Sequence, residues 1–162
     1  MILGMSVATF TAVHVVISLI GIAAGLLVAG RMLGNRLLGA WNPIFLWFTI
    51  ATSATGFLFP IVSFTPALAV GALSLAVLAV ALWALYREYL IGPWRWIYVS
   101  TALLALYLNV FVLVAQGFQK VGPLNKLAPT GTEPPFALAQ GIVLVVFIAI
   151  GLLALKRFRP VA

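Results

Sequence analysis

VATFTAVHVVISLIGIAAGLLVAGRMLGNR, residues 7–36, decides the class of this chain: an uncharged run from Val7 to Ala29 is closed by Arg31 and Arg36. The run matches the roughly 17 to 25 residues needed to cross the hydrocarbon layer of a bilayer. Four more runs of similar make-up follow, Pro43 to Phe59, Pro66 to Tyr86, Trp94 to Phe118 and Pro135 to Leu155. The basic residues fall at their ends and alternate in density. Arg31, Arg36, Arg87, Arg95, Lys156, Arg157 and Arg159 lie on one side of such a serpentine, and only Lys120 and Lys126 on the other. The positive-inside bias therefore predicts an all-α, polytopic transmembrane helical bundle of five spans, with the N-terminus outside and the C-terminus in the cytoplasm.

Composition agrees. Apolar residues make up 65% of the 162 residues and charged residues 7%, with a mean hydropathy of +1.24; soluble domains carry roughly 25% charged residues. A net charge of +7 would suggest nucleic acid in a soluble protein. Here the basic groups sit at helix ends, where they set topology and meet anionic head groups, so the partner they imply is the lipid bilayer and no nucleic acid. The absence of cysteine removes disulfides, thiolate metal sites, iron–sulfur clusters and CxxC redox chemistry. Met1 to Thr11 has no basic side chain, and the first run exceeds the 7 to 15 residues of a signal-peptide core, so it reads as a retained helix.

The gaps between runs differ in character. Gly30 to Asn42 is short and glycine-punctuated, and Pro43 suits the first turn of the next helix, where a missing N–H costs nothing. Phe59 to Pro66 is uncharged, with Pro60 and Pro66 resisting helix continuation. Tyr86, Tyr89, Trp94 and Trp96 mark a head-group boundary around Gly92 and Pro93. Gln119 to Pro135 is the longest and most varied loop; its four prolines restrict it enough to form an ordered cap over the outer end. No repeat or domain boundary interrupts residues 1–162, which read as one bundle domain.

Lipid gives helices no hydrophobic reason to associate, so buried faces should carry small and polar residues. The first run shows such a stripe in His14, Ser18, Gly21 and Gly25, whose GxxxG pair Gly21 and Gly25 offers a contact for a homo- or hetero-oligomer. The second run has Thr49, Thr52, Ser53 and Gly56, and the third Gly71 and Ser74. The fourth places Tyr98, Ala105, Asn109, Val112 and Gln116 on one face, and Gln140 lies in the fifth. An unpaired amide in hydrocarbon is costly, which turns Asn109, Gln116 and Gln140 inward. A rise of about 1.5 Å per residue puts nearly all of these groups in the outer half.

That layer defines the candidate site: His14, Ser53, Ser74, Asn109, Gln116 and Gln140, in a pocket roofed by the fourth loop. The cytoplasmic half reads as almost purely apolar. No cofactor, metal ligand set or catalytic residue is specified. One histidine does not make a bis-His haem site in a monomer, and three or four zinc or copper donors are not there. No Asp or Glu lies within a run, so proton relays and triad acids are missing. What remains is non-enzymatic recognition of a lipophile with a polar head, such as a quinone, lipid or pigment, with quinone carbonyls accepting from His14, Asn109 and Gln116. The other readings are a non-catalytic accessory subunit of a larger membrane complex and a small channel or facilitator, which would need a continuous polar path.

Trp94-Arg95-Trp96-Ile97-Tyr98, Leu106-Tyr107-Leu108-Asn109-Val110-Phe111-Val112-Leu113 and the Glu133-Pro134-Pro135-Phe136 turn resemble a set of small uncharacterised bacterial inner-membrane proteins. The resemblance covers most of the chain. It implies a bacterial inner (plasma) membrane with the outer side periplasmic, and brings no activity or functional residue with it.

Overall fold

The computed structural model describes residues 1–60 and 65–159. Its elements are α1 (Val7–Leu33), α2 (Trp41–Gly56), α3 (Pro66–Leu82) running into a π turn (Trp83–Arg87), α4 (Trp94–Lys120), a short α5 (Gly122–Leu127) and α6 (Pro134–Arg157). No strand forms among the described residues beyond an isolated bridge between Ile2 and Met5. Local signals start the helices. Ser6 Oγ accepts the Thr9 N–H at 3.1 Å, and Thr65 Oγ1 accepts that of Leu68 at 3.4 Å with Pro66 in the first turn. Pro134 and Pro135 open α6, where their missing N–H groups have no helical partner to lose.

Among the described residues, four helices are long and apolar enough to cross a membrane: Val7–Leu33, Pro66–Arg87, Trp94–Lys120 and Pro134–Arg157. That is the make-up of a multi-pass membrane protein. α2, the counterpart of the expected span Pro43 to Phe59, is not among them, since its 16 residues rise only about 24 Å. It stops early because the N–H groups of Phe57 and Leu58 bond back three residues, to Ala54 and Thr55 carbonyls at 3.2 and 3.1 Å, tightening the last turn ahead of Pro60. The rest of the uncharged turn, residues 61–64, lies outside the described residues.

α1, α2, α3, α4 and α6 alternate in direction, so the C-terminal halves of α1, α3 and α6 meet the N-terminal halves of α2 and α4. There they form a single core of Val28, Met32, Phe45, Leu46, Leu78, Tyr98, Leu106 and Phe158, interleaved with Ala24, Ala81, Ala84, Ala102 and Ala154. Alanine at the contacts lets the backbones approach closely. Side chains of the basic end tie this region together. Arg95 Nη1 donates to the carbonyls of Leu155 at 3.1 Å and Phe158 at 2.6 Å, and the Arg159 N–H donates to Asn35 Oδ1 at 2.7 Å. Arg31 Nε donates to Leu37 O at 2.7 Å, closing the turn between α1 and α2.

Two expectations change here. Gly21 and Gly25 are buried inside the single chain rather than presented to another. A Cβ on Gly25 would lie 2.5 Å from Leu106 Cδ1 and 2.8 Å from Phe45 Cδ2, and one on Gly21 3.2 Å from Thr49 Oγ1, so the pair seats α2 and α4 against α1. Nor is the basic end purely apolar. Asn42, read as part of a connecting gap, sits in the first turn of α2, where its buried Oδ1 accepts the hydroxyl of buried Tyr98. Outward faces remain apolar, as in α6, where Leu138, Ile142, Val145, Ile148 and Leu152 are exposed; bilayer lipid is the solvent such a surface fits.

Candidate ligand cavity

Beyond the alanine-rich core lies the opposite end of the bundle. Bulkier and polar side chains replace alanine, and a cavity of about 820 Å³ opens between α1, α2, α3 and α4. His14, Ser53, Ser74, Asn109 and Gln116 all line it, together with Thr11, Ser18, Thr52, Thr65 and Lys120. Apolar groups form most of the wall, among them Val15, Leu19, Phe57, Phe59, Leu68, Val70, Leu108 and Val112. Among the described residues, Lys120, in the last turn of α4, is the only charged side chain in the lining.

Several hydroxyl groups are spent on their own helices. Thr11, Thr49, Thr52, Thr55 and Thr101 donate to the carbonyl four residues earlier, at 2.6–2.9 Å, and are thereby absorbed by their own helices. Ser53 and Ser74 do not. Both residues are buried, line the cavity and make no hydrogen bond among the described residues.

Side chains from different helices are linked at two levels. His14 Nδ1 lies 2.7 Å from Thr55 Oγ1 on α2, while the imidazole packs edge-on against Phe59 at 5.3 Å between centroids, and Phe59 meets Phe10 the same way at 5.0 Å. One turn deeper, Ser18 Oγ donates to Asn109 Oδ1 on α4 at 3.2 Å. Asn109 Nδ2 is buried and has no partner among the described residues. Unpaired buried donors are rare because each forfeits its hydration without replacement.

Gln140 lies elsewhere. It projects from α6 onto the opposite side of α4, where its Nε2 donates to Phe111 O at 3.0 Å and its Oε1 is buried without a partner among the described residues. It shares the depth of the other groups but not their face of α4. The long loop does not roof the cavity either: of Gln119 to Pro135 only Lys120, which belongs to the last turn of α4, lines it. It is ordered against α4 and α6 instead. Asn125 Nδ2 donates to Phe118 O at 3.2 Å, Ala128 is buried, and Phe118 packs edge-on against Phe136 at 5.5 Å. The Glu133 carboxylate accepts from Thr130 N–H, Thr130 Oγ1 and Thr132 N–H at 3.1, 2.8 and 3.0 Å. Thr55 was not singled out from the sequence, although its spacing of three from Thr52 was available as a signal. Ser18 was read as packing, yet stands one turn from His14 and reaches Asn109.

Comparison of the chain with known protein families, with curated proteins and with solved structures finds no match in any of the three.

Proposed function

We propose that this chain is a non-enzymatic, five-span protein of the bacterial inner membrane, N-terminus outside, that holds a lipophilic molecule in the cavity between α1, α2, α3 and α4. The observation that carries the reading is the unpaired, buried Asn109 Nδ2 at the wall of a cavity of about 820 Å³. Ligand pockets typically enclose about 300–1,000 Å³ and are mostly apolar with a few convergent polar groups. The sparse polar set of His14, Ser18, Ser53, Ser74, Asn109 and Gln116 fits that description. Five spans and the orientation rest on the charge alternation; α2, though short, carries the chain from the basic end to the level of His14. The inner-membrane setting rests on the resemblance noted above.

Native mass spectrometry with organic extraction of the detergent-purified protein tests the reading. A quinone, lipid or pigment is retained by the wild type and depleted in Asn109→Leu and Gln116→Ala. A stoichiometric protein partner with no small molecule would replace this function with that of an accessory subunit. A protein recovered alone and empty, with Asn109→Leu indistinguishable from wild type, would end the proposal.

A further inference from the structure

The chain's own hydrogen bonds have already sorted the donors and acceptors that line the cavity. Thr55 Oγ1 lies 2.6 Å from Ala51 O, a separation at which the hydroxyl proton must point to the carbonyl, because two facing lone pairs would repel. At its 2.7 Å contact with His14 Nδ1, Thr55 Oγ1 is therefore the acceptor, and His14 carries its proton on Nδ1. Nε2 then holds a lone pair. It has no partner among the described residues, and no Asp or Glu lines the cavity to balance a second proton on the ring at membrane depth. A similar division holds one turn deeper. Ser18 donates to Asn109 Oδ1, which leaves the Asn109 amide as a donor with nothing to bond among the described residues; the residue is only 7% exposed.

From this we infer that the cavity selects a neutral, hydroxyl-headed lipophile, whose hydroxyl donates to His14 Nε2 while an oxygen of the same head accepts from Asn109. The inference rests on the lipophile-binding reading and sharpens it, and it reverses the role expected of His14. A quinone offers only acceptors, so its carbonyl would face the Nε2 lone pair, whereas the corresponding hydroquinone satisfies both groups. Other hydroxyl-headed lipophiles belong to the same class.

The test uses three matched probes against the full chain in nanodiscs, with quenching of tryptophan fluorescence as the readout under anaerobic, reducing conditions for the hydroquinone. They are a decyl hydroquinone, its dimethyl ether, which keeps both oxygens but donates nothing, and the decyl benzoquinone. The hydroquinone should bind roughly tenfold more tightly than the other two, the discrimination of one well-placed hydrogen bond. His14→Phe should erase that ratio. Thr55→Val, which retains His14 but removes the acceptor fixing its tautomer, should shrink the ratio too, and it serves where His14→Phe does not fold. Equal affinities in the wild type, or a preference that survives both substitutions, overturns the hydroxyl inference and leaves the cavity reading standing. Failure of all three probes to bind overturns both.

Discussion

Tyr98 on α4 donates its hydroxyl to Asn42 Oδ1 on α2, and both side chains are buried in the alanine-rich core at the basic end of the bundle. The bond crosses 56 positions of sequence and joins two helices that otherwise touch little. Both side chains being buried, Asn42 Oδ1 depends on Tyr98 for satisfaction. Tyr98→Phe is expected to lower stability by about 1–2 kcal/mol, the cost of leaving a buried acceptor unpaired. Asn42→Leu should cost a similar amount. The double variant should be less destabilised than the sum, as for any directly coupled pair. Unfolding in detergent measures all three, and strict additivity would show that the two groups do not depend on each other.

Gly25 is the most closely packed of the glycines among the described residues, with Leu106 Cδ1 and Phe45 Cδ2 occupying the space of its missing Cβ. Gly25→Ala should destabilise by about 1–3 kcal/mol through overpacking. Gly21→Ala, where the nearest neighbours are at 3.2 and 3.3 Å, should cost less, and Gly151→Ala, which meets nothing within 4 Å, should be neutral or stabilising. A ranking of melting temperatures that departs from this order would mean that α1 does not pack on α2 and α4 as described.

Topology is checked by fusing a side-specific reporter after Arg36 and another after Lys126. The five-span reading expects cytoplasmic signal from the first and external signal from the second. Signals from the same side would make α2 a re-entrant segment and leave an even number of crossings between the termini.

Glu133 lies at the head of α6, outside the spans. Desolvation pushes its carboxyl pKa up, but hydrogen bonds from Thr130, its own N–H and Thr132 outweigh that and hold it below the ordinary carboxylate value. A folded pKa that is depressed means the carboxylate's contribution is complete above the unfolded value and disappears as pH falls through the folded one. The turn at Thr130 to Thr132 should therefore loosen only at pH below the usual carboxylate range. Amide exchange of Thr130 and Thr132 reads this directly. In Glu133→Gln the same amides should exchange faster at neutral pH and lose their acid-dependent step.

Much of this protein follows from sequence alone. α1 starts at Val7, α3 at Pro66 and α4 at Trp94, as the pattern indicated, because helix starts are set by local chemistry: a capping hydroxyl, a proline in the first turn, an aromatic at the interface. Depth is equally local, since rise per residue is constant, and so the polar groups could be assigned to one half of the bundle. Rotation about each helix axis is not local. The close approach of α1 to Phe45 and Leu106 at Gly25 turns α4 so that Asn109 and Gln116 face the cavity while Phe111 turns its carbonyl to Gln140. That is why Gln140 shares the layer but not the site, and why the loop at 121–135 packs beside α4 rather than over the opening. Contacts such as Asn42 with Tyr98, Ser18 with Asn109 and His14 with Thr55 lie 41 to 91 residues apart. They exist only once the helices have packed, and it is the last of them, through the proton it places on Nδ1, that decides whether His14 offers the cavity a donor or an acceptor.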